Sequence, residues 1–187
     1  MEQLQENSSK NNIVIIAVVS GILILDQVTK YIVKQTMYLH ESIRVLGDFF
    51  RLTYIENPGM AFGIEWENKV LFSILSVSAA FIVMYYLYRM RNEHWSVRIA
   101  LASIFGGAIG NLIDRFMYGR VVDFFDFEFF DISIPSFHIF SFQFPGYEMY
   151  RWPVFNIADI AVSVGMILIG WLIIFHGRSF EEQKITS

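Results

Sequence analysis

Eight polar residues stand out because each lies in or beside a long apolar stretch: Asp26, Lys30, Asn111, Asp114, Arg115, Asp123, Asn156 and Asp159. An ionisable group inside a membrane-spanning helix costs about 2.5–3.5 kcal/mol on insertion scales, so such positions carry information. Asp26 and Lys30 are spaced i, i+4 and can pair on one helix face, a structural role that makes both charges easier to bury. Asp114 and Arg115 are adjacent, so they diverge and need other partners; Arg115 suits a lipid phosphate or a carboxylate of a site. Asp123 and Asp159 have no cationic partner nearby in sequence, and Asp159 lies one helical turn after Asn156, on the same face. If these two carboxylates meet in a partly dry site, they cannot both ionise easily and can share one proton. One member then takes a proton from water while the other polarises a carbonyl, which is aspartic-protease chemistry. Two plainer readings stand beside it: a solvated loop Asp123, and an Asp159 that only hydrogen-bonds a neighbouring helix.

Other chemistries fit less well. The 187 residues are 55% apolar and 17% charged, with a mean hydropathy of +0.45, which marks a membrane protein rather than an ordinary soluble domain. With no cysteine there is no disulfide scaffold, thiolate zinc site or cysteine nucleophile. A net charge of −4 argues against nucleic acid as the main partner. His40, His94, His138 and His176 form no metal-binding pair, and no G-x-S-x-G elbow or phosphate loop is present. Ser73, Ser76 and Ser78 read as small packing residues. The dyad reading requires no metal and no cofactor.

The elements that must position these residues are four apolar stretches, each close to the roughly 20 helical residues that cross a bilayer core. They cover about 13–33, 70–88, 97–117 and 154–175. The expected class is a mostly α membrane protein, a single domain of four transmembrane helices with a small extracytoplasmic β-hairpin or β-sheet region. The first span is expected to be retained, because it runs into Asp26-Gln27-Val28-Thr29-Lys30 and not into a small-x-small cleavage site. Lys and Arg are denser in the two tails and the 89–98 loop than in the long loops 34–69 and 118–153. That bias places both termini in the cytoplasm and both long loops outside. Residues 49–55, the Asn57-Pro58-Gly59 turn signal and residues 61–66 predict a hairpin over the membrane. Nearly half of the 19 Phe fall between Phe124 and Phe144, in alternating runs broken by Pro135. Such alternation predicts strands with one aromatic face, resting at the headgroup level or buried in a small outer domain. The tail 177–187 is polar and expected to fray.

On this topology the polar residues of four chain segments, with Asn57 of the outer turn among them, converge at or just below the outer surface, the signature of an intramembrane site. A proton-coupled transporter needs polar groups through the whole depth, whereas the inner halves of the second and fourth spans are almost purely apolar. A lipid-modifying transferase usually needs a strong base such as His, and only His138 comes near the cluster. A non-catalytic membrane chaperone differs by tolerating Asp123→Asn and Asp159→Asn.

The set Asp26-Gln27-Val28-Thr29-Lys30, Asn57-Pro58-Gly59-Met60-Ala61-Phe62-Gly63, Gly106-Gly107-Ala108-Ile109-Gly110-Asn111-Leu112-Ile113-Asp114-Arg115, Val121-Val122-Asp123-Phe124 and Phe155-Asn156-Ile157-Ala158-Asp159 resembles the motif series of bacterial lipoprotein signal peptidase, or signal peptidase II. The motifs stand in the family's order and span roughly residues 20–165. The resemblance implies an aspartyl endopeptidase of the bacterial inner membrane that cuts prolipoproteins before a diacylglyceryl-modified cysteine. It implies Asp123 and Asp159 as the catalytic pair, with Asn57, Gly59, Asn111, Arg115 and Asn156 lining the site. It implies structural roles for Asp26, Lys30 and Asp114. The partners it implies are lipidated prolipoproteins, membrane lipid and globomycin-type inhibitors, with no nucleic acid. Two departures are Met60, where the family often has a smaller residue, and a longer, Phe-rich segment between Phe125 and Arg151.

Overall fold

The computed structural model describes residues 2–59, 69–140 and 142–185. Four helices, α1 (Glu2–Thr36), α2 (Lys69–Arg89), α3 (Trp95–Tyr118) and α4 (Ile157–Ile185), carry short strands between them. Three stretches are long and apolar enough to cross a membrane: Asn12–Thr36, Trp95–Tyr118 and Ile157–Phe175. The second expected span falls on α2, whose apolar Ser73–Arg89 stretch is shorter than that. Large apolar side chains such as Ile16, Ile24, Phe81, Ile82, Ile167 and Ile173 face outward and exposed. A surface this apolar requires lipid around it.

Helix α3 is central and packs against the other three. The Gly106-Gly107-Ala-Ile-Gly110 run makes this closeness possible. A Cβ on Gly107 would collide with the Ala158 carbonyl oxygen of α4, and one on Gly110 would sit 2.6 Å from an Asp26 carboxylate oxygen. The helix starts at its His94 cap, whose ring accepts the Ser96 N–H, and stops at Gly119, whose N–H returns to the Arg115 carbonyl. The chain leaves directly into strand β3 (Val121–Phe127).

Strand β3 is one edge of a three-stranded antiparallel sheet with β1 (Ser42–Leu46) and β2 (Phe50–Asn57), in the order β1-β2-β3. The hairpin expected over residues 49–66 lies in part outside the described residues. The described hairpin is β1–β2, which turns at Gly47, and Asn57 ends β2 opposite Val121 of β3. The strand expected at 61–66, like Met60, lies outside the described residues. Val122 and Phe124 of β3 and Tyr54 of β2 bury against Val33 and Met37 at the end of α1, so the sheet sits on the helix it follows. On its other side β3 bridges to Phe155, which brings the start of α4 beside it.

One buried cation ties these parts together. Lys30 Nζ lies 2.8 Å from Asp26 Oδ2 on its own helix and 3.0 Å from Asp114 Oδ2 on α3, with all three side chains almost wholly buried. It also donates to Asn111 Oδ1 at 3.0 Å. Asp26 Oδ1 in turn accepts the Ala158 N–H at the start of α4, and Asp114 Oδ2 accepts the Val122 N–H of β3. The i, i+4 pairing thus extends into a junction of three helices and a strand.

Two substitutions test this packing. Gly107→Ala is expected to lower stability by about 1–3 kcal/mol, since backbone blocks the new methyl. Gly170→Ala meets nothing within 4 Å, and should leave the melting temperature unchanged or slightly raised, because Ala is the better helix former. Lys30→Met strands two buried carboxylates without their cation, a loss of about 3–5 kcal/mol. Removing the exposed Arg44 should cost within about half a kcal/mol. Thermal unfolding of the purified variants in one detergent checks all four.

Candidate active site

The start of α4 is built as a reciprocal cap. Asn156 Oδ1 accepts the Asp159 N–H at 3.0 Å, and Asp159 Oδ2 accepts the Asn156 N–H at 3.1 Å. This box satisfies two helix-end donors and holds both side chains in one orientation. A carboxylate there also faces the positive end of the helix dipole. Asp26, reaching across from α1 to the Ala158 N–H, adds a second carboxylate at the same helix end.

Asp159 is held from α3 as well, because Asn111 Nδ2 donates to its Oδ1 at 2.8 Å. The Asn111 amide cannot reverse without loss. Its oxygen receives Lys30 Nζ and Asn156 Nδ2, at 3.0 and 3.1 Å, while its nitrogen points to the carboxylate. Asn156 Nδ2 also donates 2.7 Å to Asp123 Oδ1 and 3.2 Å to the Val122 carbonyl. Asn57 Nδ2 donates 3.1 Å to Asp123 Oδ2, and the Gly59 N–H returns to Asn57 Oδ1 at 3.0 Å, an Asx turn that fixes the Asn57 amide.

Asp123 and Asp159 are therefore neighbours joined through Asn156. Asp123 is 2% exposed, which disposes of the solvated-loop reading. Asp159 bonds Asn111 of a neighbouring helix, as its own plainer reading expected, and faces Asp123 as well. Burial first, and the Asp159 charge second, push the Asp123 carboxyl from 3.8 up to about 7; the Asn57 and Asn156 hydrogen bonds oppose this. Arg115, in the last turn of α3, lies within electrostatic reach of Asp123, Asp159 and Asp114.

All ten residues singled out from the sequence meet in this one region. Asn57, Asn111, Asn156 and Arg115 surround the two aspartates, and Gly59 orients Asn57. Asp26, Lys30 and Asp114 form the buried junction behind them. The sequence reading missed Gln27. Its Nε2 donates to Asp26 Oδ2, Asp114 Oδ1 and the Gly110 carbonyl, at 3.1–3.2 Å, and so links α1 to α3. Its signal was a polar side chain beside Asp26 within an apolar span. A second missed set flanks the sheet. Arg151 Nε donates 2.7 Å to Asp126 Oδ1, Thr53 Oγ1 donates 2.6 Å to Asp126 Oδ2, and Arg151 also meets Glu128 and the Asp48 carbonyl. Arg151 lies 25 residues from Asp126, so no local spacing reveals that pair.

The site thus joins two carboxyl groups, one lifted toward neutrality, fenced by three amides and one arginine. A family model described as signal peptidase (SPase) II matches residues 18–175. A lipoprotein signal peptidase of Desulforapulum autotrophicum is 40% identical over 167 residues, covering 86% of this chain and 92% of the relative. One from Clostridium tetani is also 40% identical, over 173 residues, covering 92% and 99%. Among solved structures, a bacterial membrane enzyme determined by the in meso method at 2.3 Å is 30% identical, with a TM-score of 0.66 and 89% of each chain covered. Another, at 1.9 Å, is 31% identical with a TM-score of 0.64, covering 87% of this chain and 93% of that one. On these matches, the chain is a membrane protein that belongs to the signal peptidase II family of peptidases.

Proposed function

We propose that this protein is an aspartyl endopeptidase that removes the signal peptide from prolipoproteins, cutting before the diacylglyceryl-modified cysteine. The observation that carries the reading is the shared Asn156 bridge. Its side chain holds Asp123, and its backbone holds Asp159, so the two carboxyl groups form one unit. The working state carries one proton on the pair. The ionised member takes a proton from a water, whose oxygen adds to the scissile carbonyl carbon. The protonated member donates to the carbonyl oxygen, giving a tetrahedral diol. Collapse breaks the C–N bond, with a proton delivered to the leaving nitrogen, and the shared proton is restored. Asn57 and Arg115 are placed to hold peptide carbonyls or headgroup oxygens. Asn111 and Asn156 hold the aspartates.

The proposed setting is the bacterial cytoplasmic membrane, with α1 to α4 all spanning, both termini cytoplasmic and the site at the outer-leaflet face. There a substrate presents its scissile bond while its acyl chains stay in the bilayer. Globomycin-type peptides, as substrate mimics, should compete for the same unit.

Purified protein in lipid nanodiscs, offered a prolipoprotein with and without diacylglycerol, tests this reading. Only the lipidated form should be cut. Asp123→Asn and Asp159→Asn should each lower the rate by about 10⁴-fold or more, the scale on which removal of one member of a catalytic unit acts. Failure of the folded wild type to cut either substrate overturns the proposal.

The Asp123 carboxyl adds a pH dependence. Its folded value lies above its ordinary one, so between 3.8 and about 7 the folded state binds more protons than the unfolded state, and stability falls as pH rises. Melting curves of Asp123→Asn against wild type should therefore shift in the variant's favour across that window. Wild-type kcat/KM should decline above about pH 7, as the pair loses its shared proton. A flat profile from pH 6 to 9 would count against a protonated Asp123.

A further inference from the structure

The Phe-rich segment is a device of its own. Strands β4 (Ile132–Ile134) and β7 (Tyr147–Met149) pair antiparallel, as do β5 (Phe137–Ile139) and β6 (Phe142–Phe144). The partners Ile132↔Met149, Ile134↔Tyr147, Phe137↔Phe144 and Ile139↔Phe142 share one register. The two ribbons are thus a single hairpin, interrupted where Pro135 stands opposite Gly146 and Pro145 opposite Ser136. Proline has no N–H for the ladder, so the break is built in. Gly146, at φ +85°, leaves no room for a Cβ, which would come within 3.0 Å of two backbone atoms. From Ile132 to Phe140 the arm reaches about 30 Å, at roughly 3.3 Å per residue.

Three observations distinguish this arm from a water-exposed loop. Residues 132–147 include no Asp, Glu, Lys or Arg. Exposed strand edges in water are normally guarded by such charges. Among the described residues the arm makes no substantial contact with a helix or with the three-stranded sheet. An isolated two-stranded hairpin is marginal in water without such support. Its turn residue, Phe140, is fully exposed at φ +53°, a conformation in which Asn or Gly is the comfortable choice. Ile139 and Phe137 behind it are also exposed, and Phe137 stacks on Phe144.

Beside the charged contacts of Arg151 at the base of the arm, Phe129, Phe130 and Tyr150 are exposed as well. The chain leaves α3 past exposed Phe116, Met117 and Tyr118, and it re-enters at α4. Aromatic rings at a helix end of this kind mark the headgroup level. We propose that the 132–149 hairpin is a membrane anchor, which folds onto the outer leaflet beside the helices and places Phe140 and Ile139 at the headgroup–acyl boundary. With no cation between Arg120 and Arg151, the arm binds through apolar area and not through lipid charge, so zwitterionic lipid suffices. The inference needs only the membrane setting, and stands or falls separately from the peptidase reading.

The chain has no cysteine, so single-site labelling is clean. Phe140→Cys, Gln143→Cys and Glu93→Cys are each given a nitroxide in phosphatidylcholine nanodiscs, with folding checked by helix content and monodispersity. Spectroscopic collision rates are then measured with oxygen, which favours lipid, and with a water-soluble nickel chelate. At 140 oxygen should dominate, while the loop position 93 should favour the chelate and 143, on the opposite ribbon face from Ile139, should fall between them. Replacing phosphatidylcholine by a mixture with phosphatidylglycerol should leave the order unchanged. Equal chelate access at 140 and 93 overturns the proposal. So does shielding of 140 from both reagents, which would mean contact with protein. A short label-to-label distance between copies, read by pulsed dipolar measurement, would identify that protein as a second chain.

Discussion

The buried Lys30 ammonium is the interaction on which the arrangement rests. A cation this deep is tolerable only if acceptors replace its water, and here α1 supplies Asp26 while α3 supplies Asn111 and Asp114. Each acceptor has a second duty. Asp26 takes the Ala158 N–H of α4, Asp114 takes the Val122 N–H of β3, and Asn111 turns its nitrogen toward Asp159. The ammonium therefore sets the polarity of the Asn111 amide, with oxygen toward the cation and nitrogen toward the carboxylate. Reversing that amide would oppose like partners at both ends. The buried charges of Asp26, Lys30 and Asp114 are thus one network, and it reaches Asp159 through the Asn111 side chain.

Small residues are what allow the network to be so short. Gly107 and Gly110 bring α3 against the Ala158 backbone and the Asp26 carboxylate, distances at which any methyl intrudes. Hydrogen bonds of about 3 Å between helices need backbones this close, because Asp, Asn and Lys side chains must meet without strain. The apolar cost of the glycines is returned as polar contact. The sheet plays the matching part on the outer side. Its Val122 and Phe124 bury against Val33 and Met37, and its alternation leaves Asp123, the residue between them, pointing to the helices' polar end.

Much of this was legible from residue types. The i, i+4 spacing of Asp26 and Lys30, the glycine run, the Asn156–Asp159 turn and the apolar frame of Asp123 are local patterns with direct physical readings, and all four meet in one region. The Asn57-Pro58-Gly59 signal does mark an Asx turn, but it did not show the sheet that precedes it. Gly47 closes the β1–β2 pair, and β2 runs on to Asn57, where its partner is β3, more than sixty residues away. Pairing at that separation leaves no short-range trace. Asp126–Arg151 and Gln27–Asp114 were hidden for the same reason. The Phe alternation correctly announced strands, but period alone does not distinguish a covered face from a bare one.

The same separation of scales bears on how such a site keeps its chemistry constant while its surroundings vary. Among the described residues, the hydrogen bonds to Asp123 and Asp159 come from regular elements or their caps: β2, α3 and the start of α4. None of the described ones comes from residues 128–150; at the base of the arm Arg151 gathers Asp126, Glu128 and the Asp48 carbonyl. That cluster acts as a boundary. Proximal to it, β3 is fixed by ladder bonds to β2 and by the Phe155 bridge, so Asp123 cannot follow motions of the arm. Such a division suits the site proposed above, because a polar clamp then separates the strand that carries Asp123 from the segment proposed to meet the lipid.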